Sequence, residues 1–131
     1  MREERKGGVV GNNKGFTLVE LVIIIIVLGI LSAVAIPKYL DIKDEATKAT
    51  AGATLGALQG TEQTLYMTYL MKGTDYVLAD VITGTTLSGV AAEATSETAG
   101  KVTVGTTAFT FTYAAHTATA PGTYTKTGTN W

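Results

Sequence analysis

The chain has 131 residues, room for one modest domain, and a formal net charge of −1, so no strongly basic surface argues for a nucleic-acid partner. It contains no cysteine, which excludes disulfide staples and thiolate metal sites while leaving the compartment open. Charge is unevenly placed: Arg2, Arg5, Lys6 and Lys14 stand against Glu3 and Glu4 at the start, and from residue 16 onward six lysines face nine acids.

Residues 1–15 are polar, short and glycine-containing, and read as a leader outside the fold. Residues 21–36 carry no charge. Counted from Phe16, the apolar stretch is about 21 residues, or roughly 31 Å as a helix, against roughly 30 Å for the hydrocarbon core of a bilayer. The β-branched run 23–27 would suit a strand in water. An isolated strand cannot satisfy its backbone in lipid, so the segment is predicted helical. Pro37 removes one helix hydrogen bond and crowds the carbonyl of Ala33, and Gly29 is itself a poor helix former. Residues 29–37 are therefore the weakest stretch, either a simple kink or a place that unwinds when subunits pack.

Residues 39–72 lack proline and are rich in helix formers. Asp44 and Lys48 form a favourable i,i+4 pair. Leu55, Leu58, Leu65 and Tyr69, with Ala51 before them, recur on one face, and Glu62 interrupts that line and is placed at its edge. The two stretches merge into one helix over about 16–72, roughly 85 Å long. Gly52, Gly56 and Gly60 share a face, each at a cost of about 1 kcal/mol relative to alanine. They mark either close approach of a strand or helix, or a loosely formed helix.

Gly73 and Thr74 break the helix. Residues 76–78 and 81–82 read as short strands or loop, and 85–100 as a connecting loop. Residues 101–104 and 108–113 alternate at period two and read as strands joined by a hairpin at 105–107. Residues 123–126 form a third strand, entered through the turn at Pro121 and Gly122. Phe109, Phe111 and Tyr113 then point to one face, against Leu55, Leu58 and Leu65. A small head of this kind is marginal alone, because small domains bury too little surface. The fold class is α+β: a long N-terminal helix packed on a small C-terminal antiparallel sheet.

Catalytic chemistry has no constellation here. His116 is the one histidine, beside no nearby acid in sequence, and reads as a surface or turn residue. No phosphate-binding glycine loop is present, and nothing calls for a cofactor or a metal. Asp41, Asp44 and Glu45 read as a solvated helix face. Eleven threonines fall within residues 103–131, which fits β-propensity on a solvated sheet face or a surface suited to glycosylation or adhesion.

Glu20 is the anomaly. An ionisable group at the centre of a membrane helix costs roughly 2.5–3.5 kcal/mol, and such a residue is a functional hypothesis by default. A permanent anchor explains the length of the apolar run but not Glu20. A conventional secretory signal explains the basic start and Ala33-Val34-Ala35, which resembles a small-x-small cleavage site, but neither Gly15 nor Glu20. A cut between Gly15 and Phe16 would free an amine at Phe16, able to pair with Glu20 of a neighbouring copy.

Lys14-Gly15-Phe16-Thr17-Leu18-Val19-Glu20-Leu21, then Gly29, then Ala35-Ile36-Pro37-Lys38-Tyr39, resembles the N-terminus of a type IV pilin without gaps over residues 14–39. Residues 41–60 resemble, more loosely, the same helix in pilins of the mannose-sensitive haemagglutinin type. The resemblance implies a prepilin of the type IVa class, a structural subunit and not an enzyme. Its parts would be a cleaved leader over 1–15, a transmembrane and filament-core helix over 16–38, and a head over 39–131. Prepilin peptidase would cut between Gly15 and Phe16 and N-methylate Phe16, Glu20 would serve filament assembly, and Gly29 and Pro37 would kink or unwind. The implied partners are further copies in a helical filament, the peptidase, the inner-membrane pilus assembly machinery and the inner membrane itself, with no nucleic-acid site. The surface filament would serve adhesion, motility or DNA uptake. Major pseudopilins of type II secretion share this N-terminus but usually carry a calcium site with acidic C-terminal ligands; residues 98–131 contain no Asp or Glu. The missing cysteines also depart from many pilins, which close a C-terminal loop with a disulfide. A small secreted protein with a cleaved signal is the remaining alternative.

Overall fold

The computed structural model describes residues 15–131; the rest of the leader expected over 1–15 lies outside them. The chain divides into two compact units, one ending at Tyr39 and the other Leu40–Trp131. Helix α1 (Leu18–Lys72) is followed by the short helix α2 (Leu78–Gly84) and four strands, β1 (Val90–Ser96), β2 (Ala99–Val104), β3 (Thr107–Ala114) and β4 (Thr123–Thr127). The strands form one antiparallel sheet in the order β1-β2-β3-β4.

In the second unit, α1 lays Ala51, Leu55, Leu58 and Tyr66 into the core. The sheet answers with Val102 and with Phe109, Phe111 and Tyr113, alternate residues of β3 whose side chains therefore share a face. Leu78 and Val81 of α2 complete the cluster, and Leu65 and Tyr69 pack at its margin. Each such large side chain, fully buried, stabilises the fold by about 1.5–3 kcal/mol. The β2–β3 turn is made by Gly105 and Thr106, with Gly105 at φ +61°; glycine first in a two-residue hairpin suits a turn that matches the twist of the strands. The outer sheet face takes up the threonines: Thr110 and Thr112 on β3 and Thr125 on β4 are exposed, and the Thr110 hydroxyl donates to the Thr127 carbonyl at 2.8 Å. The indole Nε1 of Trp131 donates to the carbonyls of Thr110 (2.6 Å) and Thr127 (2.9 Å), closing the sheet edge.

Several local expectations are corrected. Residues 78–84 are helical, not strand or loop; Asp80 accepts the Val77 N–H at 2.8 Å, so a helix start overrides the β-branched content of the segment. Residues 90–96 form β1 instead of loop, held by register to β2 although alanine-rich. Helix α1 begins at Leu18, two residues later than expected. Among the described residues the ion pairs are Lys101–Glu93 and, when the imidazole is protonated, His116–Asp75, so Asp44 and Lys48 do not pair. His116 is no free surface residue. Its side chain is only 8% exposed, its ring stacks on Tyr76 with centroids 4.1 Å apart, and its Nε2 lies 3.0 Å from Asp75 Oδ1.

Candidate functional site

The stem begins with Gly15, Phe16 and Thr17 outside the helix, all exposed. Thr17 caps α1: its Oγ1 accepts the Glu20 N–H at 3.2 Å, and Glu20 Oε2 accepts the Thr17 N–H at 3.5 Å. This is a capping box, two orphan donors of the helix start satisfied reciprocally. The helix dipole also favours a negative charge in this first turn. Thr17-x-x-Glu20 is a sequence signal that the reading of Glu20 as an intermolecular partner passed over.

Beyond the cap, the apolar residues of the stem stand open, from Leu18 at 78% exposure to Ile36 at 60%. A window of α1 reaches a mean hydropathy of 3.0 with no part buried, long and apolar enough by length and composition to cross a membrane. The helix runs unbroken through Gly29 and Pro37, and nothing lies within 4 Å of where a Cβ would stand on Gly29.

In the second unit, the face of α1 turned away from the sheet carries no charge between Lys48 and Lys72, because the one ionisable acid there, Glu62, is buried. Gly56 and Gly60 lie open on that face with nothing within 4 Å of a Cβ position, while Gly52 has Lys126 Nζ 3.8 Å away. Among the described residues, no strand or helix approaches Gly56 and Gly60 closely. Met67, Leu70 and Met71 continue the face, all more than half exposed.

Glu62 sits inside the head, fully buried, not at the margin of the apolar line. Its Oε1 accepts the Tyr76 hydroxyl at 2.6 Å and the Gly122 N–H at 2.7 Å. Its Oε2 accepts the hydroxyls of Tyr113 at 3.2 Å and Tyr124 at 3.4 Å. Burial, with the Glu62 carboxylate beside them, pushes the phenols of Tyr76, Tyr113 and Tyr124 well above the usual tyrosine range.

A family model for the prokaryotic N-terminal methylation motif matches residues 11–36, the stretch that holds Gly15, Phe16, Glu20 and Gly29. The N-terminal region is similar to that of type IV pilins. Among curated relatives, the type IV narrow pilus major component PilA5 of Thermus thermophilus is 48% identical over 46 residues, 35% of this chain and 40% of the relative. The type IV major pilin protein PilA of Myxococcus xanthus is 35% identical over 54 residues, 41% of this chain and 24% of the relative. PilE1 of Neisseria gonorrhoeae, a type IV major pilin, is 38% identical over 60 residues, 46% of this chain and 34% of the relative. The chain thus spans less than half the length of these pilins. No solved structure matches it. Each pilin likeness covers less than half of this chain, and a long helix followed by a four-stranded antiparallel sheet is the pilin fold.

Proposed function

We propose that the chain is a structural subunit of a type IV pilus, cut between Gly15 and Phe16, N-methylated at Phe16 and built into a filament through its stem. Residues 16–38 hold it in the inner membrane before assembly and form the filament core afterwards; residues 39–131 are the head. Prepilin peptidase and the inner-membrane assembly machinery are the partners this route requires. The observation that carries the reading is the stem: a helix whose apolar residues are all exposed and whose one acid sits in its first turn. Those residues need an apolar environment, and lipid and neighbouring stems are equivalent in that respect, so transfer between the two is feasible. The charge-free face of α1 around Gly56 and Gly60 offers a further surface where another copy can approach closely.

Glu20 sets the register. In the single subunit its carboxylate is engaged by its own helix start through a long contact. After cleavage, the Phe16 amine of a neighbour competes for it. Such a pair at about 4 Å and an effective dielectric of about 20 is worth roughly 4 kcal/mol before desolvation. Desolvation offsets much of this, so the pair fixes alignment more than affinity. Gly29 and Pro37 supply the stretch that can unwind as stems pack.

Glu20→Ala tests the reading. The variant inserts, since losing a charge eases burial in lipid, and is still cut after Gly15. It does not build filaments by itself, so it stays in the membrane fraction and is missing from the sheared surface fraction. Normal filaments made only of Glu20→Ala subunits would remove the assigned role.

A further inference from the structure

We infer that Glu62 is a carboxylate staple that fastens the segment between β3 and β4 to α1 without a covalent bond. This depends on the geometry of the head and not on how the subunit is used.

Four donors reach one side chain from four places in the chain. Tyr76 follows the end of α1, Tyr113 lies near the end of β3, Gly122 belongs to the connecting loop and Tyr124 to β4. They are 14, 51, 60 and 62 residues from Glu62 in sequence. A carboxylate offers about four lone-pair positions, so this set saturates it. Glu62 belongs to neither of the ion pairs found among the described residues, so its partners are phenol and amide dipoles.

The backbone is shaped around the same point. A Cβ on Gly122 would stand 2.5 Å from Glu62 Oε1 and 2.6 Å from the Tyr113 ring. Only glycine lets the loop come near enough for its N–H to reach the carboxylate. Between Ala114 and Thr123 the chain has no strand or helix. Its other fixings are the local bond from Thr117 N–H to the Ala120 carbonyl at 2.8 Å and, farther along the chain, His116, whose ring stacks on Tyr76 and whose Nε2 lies 3.0 Å from Asp75 Oδ1. The stack adds to the staple, since Tyr76 is held by Glu62 through its hydroxyl and covers His116 with its ring.

A buried carboxylate is costly unless every acceptor is satisfied, and a partly satisfied network is worse than an apolar core. A residue at position 62 that only filled space would need no oxygen. The convergence of four donors therefore assigns Glu62 the work of holding the loop and β4, not only of packing.

Amide hydrogen exchange on the whole chain in detergent micelles tests this, with the Gly122 amide as direct reporter. In Glu62→Leu, which keeps bulk and removes the acceptors, exchange at Gly122 and across 123–127 accelerates by at least about tenfold, while β1 and β2 change far less. Glu62→Gln keeps one oxygen for Tyr76 and Gly122 and is intermediate. Should Glu62→Leu fail to fold, Tyr76→Phe and Tyr113→Phe carry the test, each keeping its ring and removing one donor; the same region loosens to a smaller degree. Exchange as slow as in the unaltered protein in Glu62→Leu, or in both phenylalanine variants, would show that apolar packing and the His116 contacts hold the loop without the carboxylate and would overturn the inference.

Discussion

Consider the head carried from about pH 9 to about pH 12, across the usual tyrosine value of about 10. Tyr76, Tyr113 and Tyr124 have raised values in the fold, through burial first and the Glu62 carboxylate after it. In the unfolded chain they ionise at about 10; in the fold they keep their protons. The fold then binds more protons than the unfolded chain, so stability is fully present below about pH 10 and is lost as pH rises toward the folded values. Each such tyrosine removes about 1.4 kcal/mol per pH unit, and the three together roughly 4 kcal/mol per unit. The partial exposure of Tyr124 makes this an upper figure. A small domain with about 5–8 kcal/mol of stability exhausts it within about two units. Tyrosinate absorbance and far-UV circular dichroism should be followed together. The buried set should then ionise in step with loss of structure, with a shallower dependence in Tyr76→Phe. Titration of Tyr76, Tyr113 and Tyr124 near 10 with helix and sheet intact would refute the reasoning.

Four further outcomes concern single substitutions. In Gly100→Ala the new methyl meets the Phe111 ring and stands 2.9 Å from the Glu93 carbonyl oxygen, which is backbone and cannot turn away; the cost of about 1–3 kcal/mol lowers the melting temperature by roughly 5–20 °C, and an unchanged melt would contradict it. Leu58→Ala, at a fully buried position, destabilises the head by about 2–5 kcal/mol in denaturant titrations. By contrast Met71→Ala, at 78% exposure, leaves the stability of the isolated subunit unchanged. Pro37→Ala restores a missing helix hydrogen bond and strengthens α1 locally by up to about 3 kcal/mol; if residues 29–37 unwind in the filament, fewer or differently shaped filaments form, and a filament map with continuous helix there would exclude unwinding.

The apolar half of α1 was readable because hydropathy and length are local features. Strands β2 and β3 announced themselves by alternation, with Phe109, Phe111 and Tyr113 as the buried face, and β4 by the turn at Pro121 and Gly122 that precedes it. Strand β1 did not, because its alanines carry little periodic signal and its pairing with β2 defines it. The seven-residue α2 was hidden by β-branched residues, and its Asp80 contact was the missed clue. Glu62 looked like an interruption because the donors that make its burial tolerable lie as far as 62 residues along the chain. His116 was misread for the same reason: Asp75, Tyr69 and Tyr76 surround it only in the fold. The capping box of Thr17 and Glu20 is local, four residues long, and was passed over all the same.

The intact mass of the protein recovered from sheared surface filaments tests the central claim most directly. A pilus subunit processed as proposed begins at Phe16 and carries one extra methyl group at that amine. An N-terminus at Ile36, as a conventional signal cut after Ala33-Val34-Ala35 would leave, or a surface form that still carries residues 1–15, would contradict it.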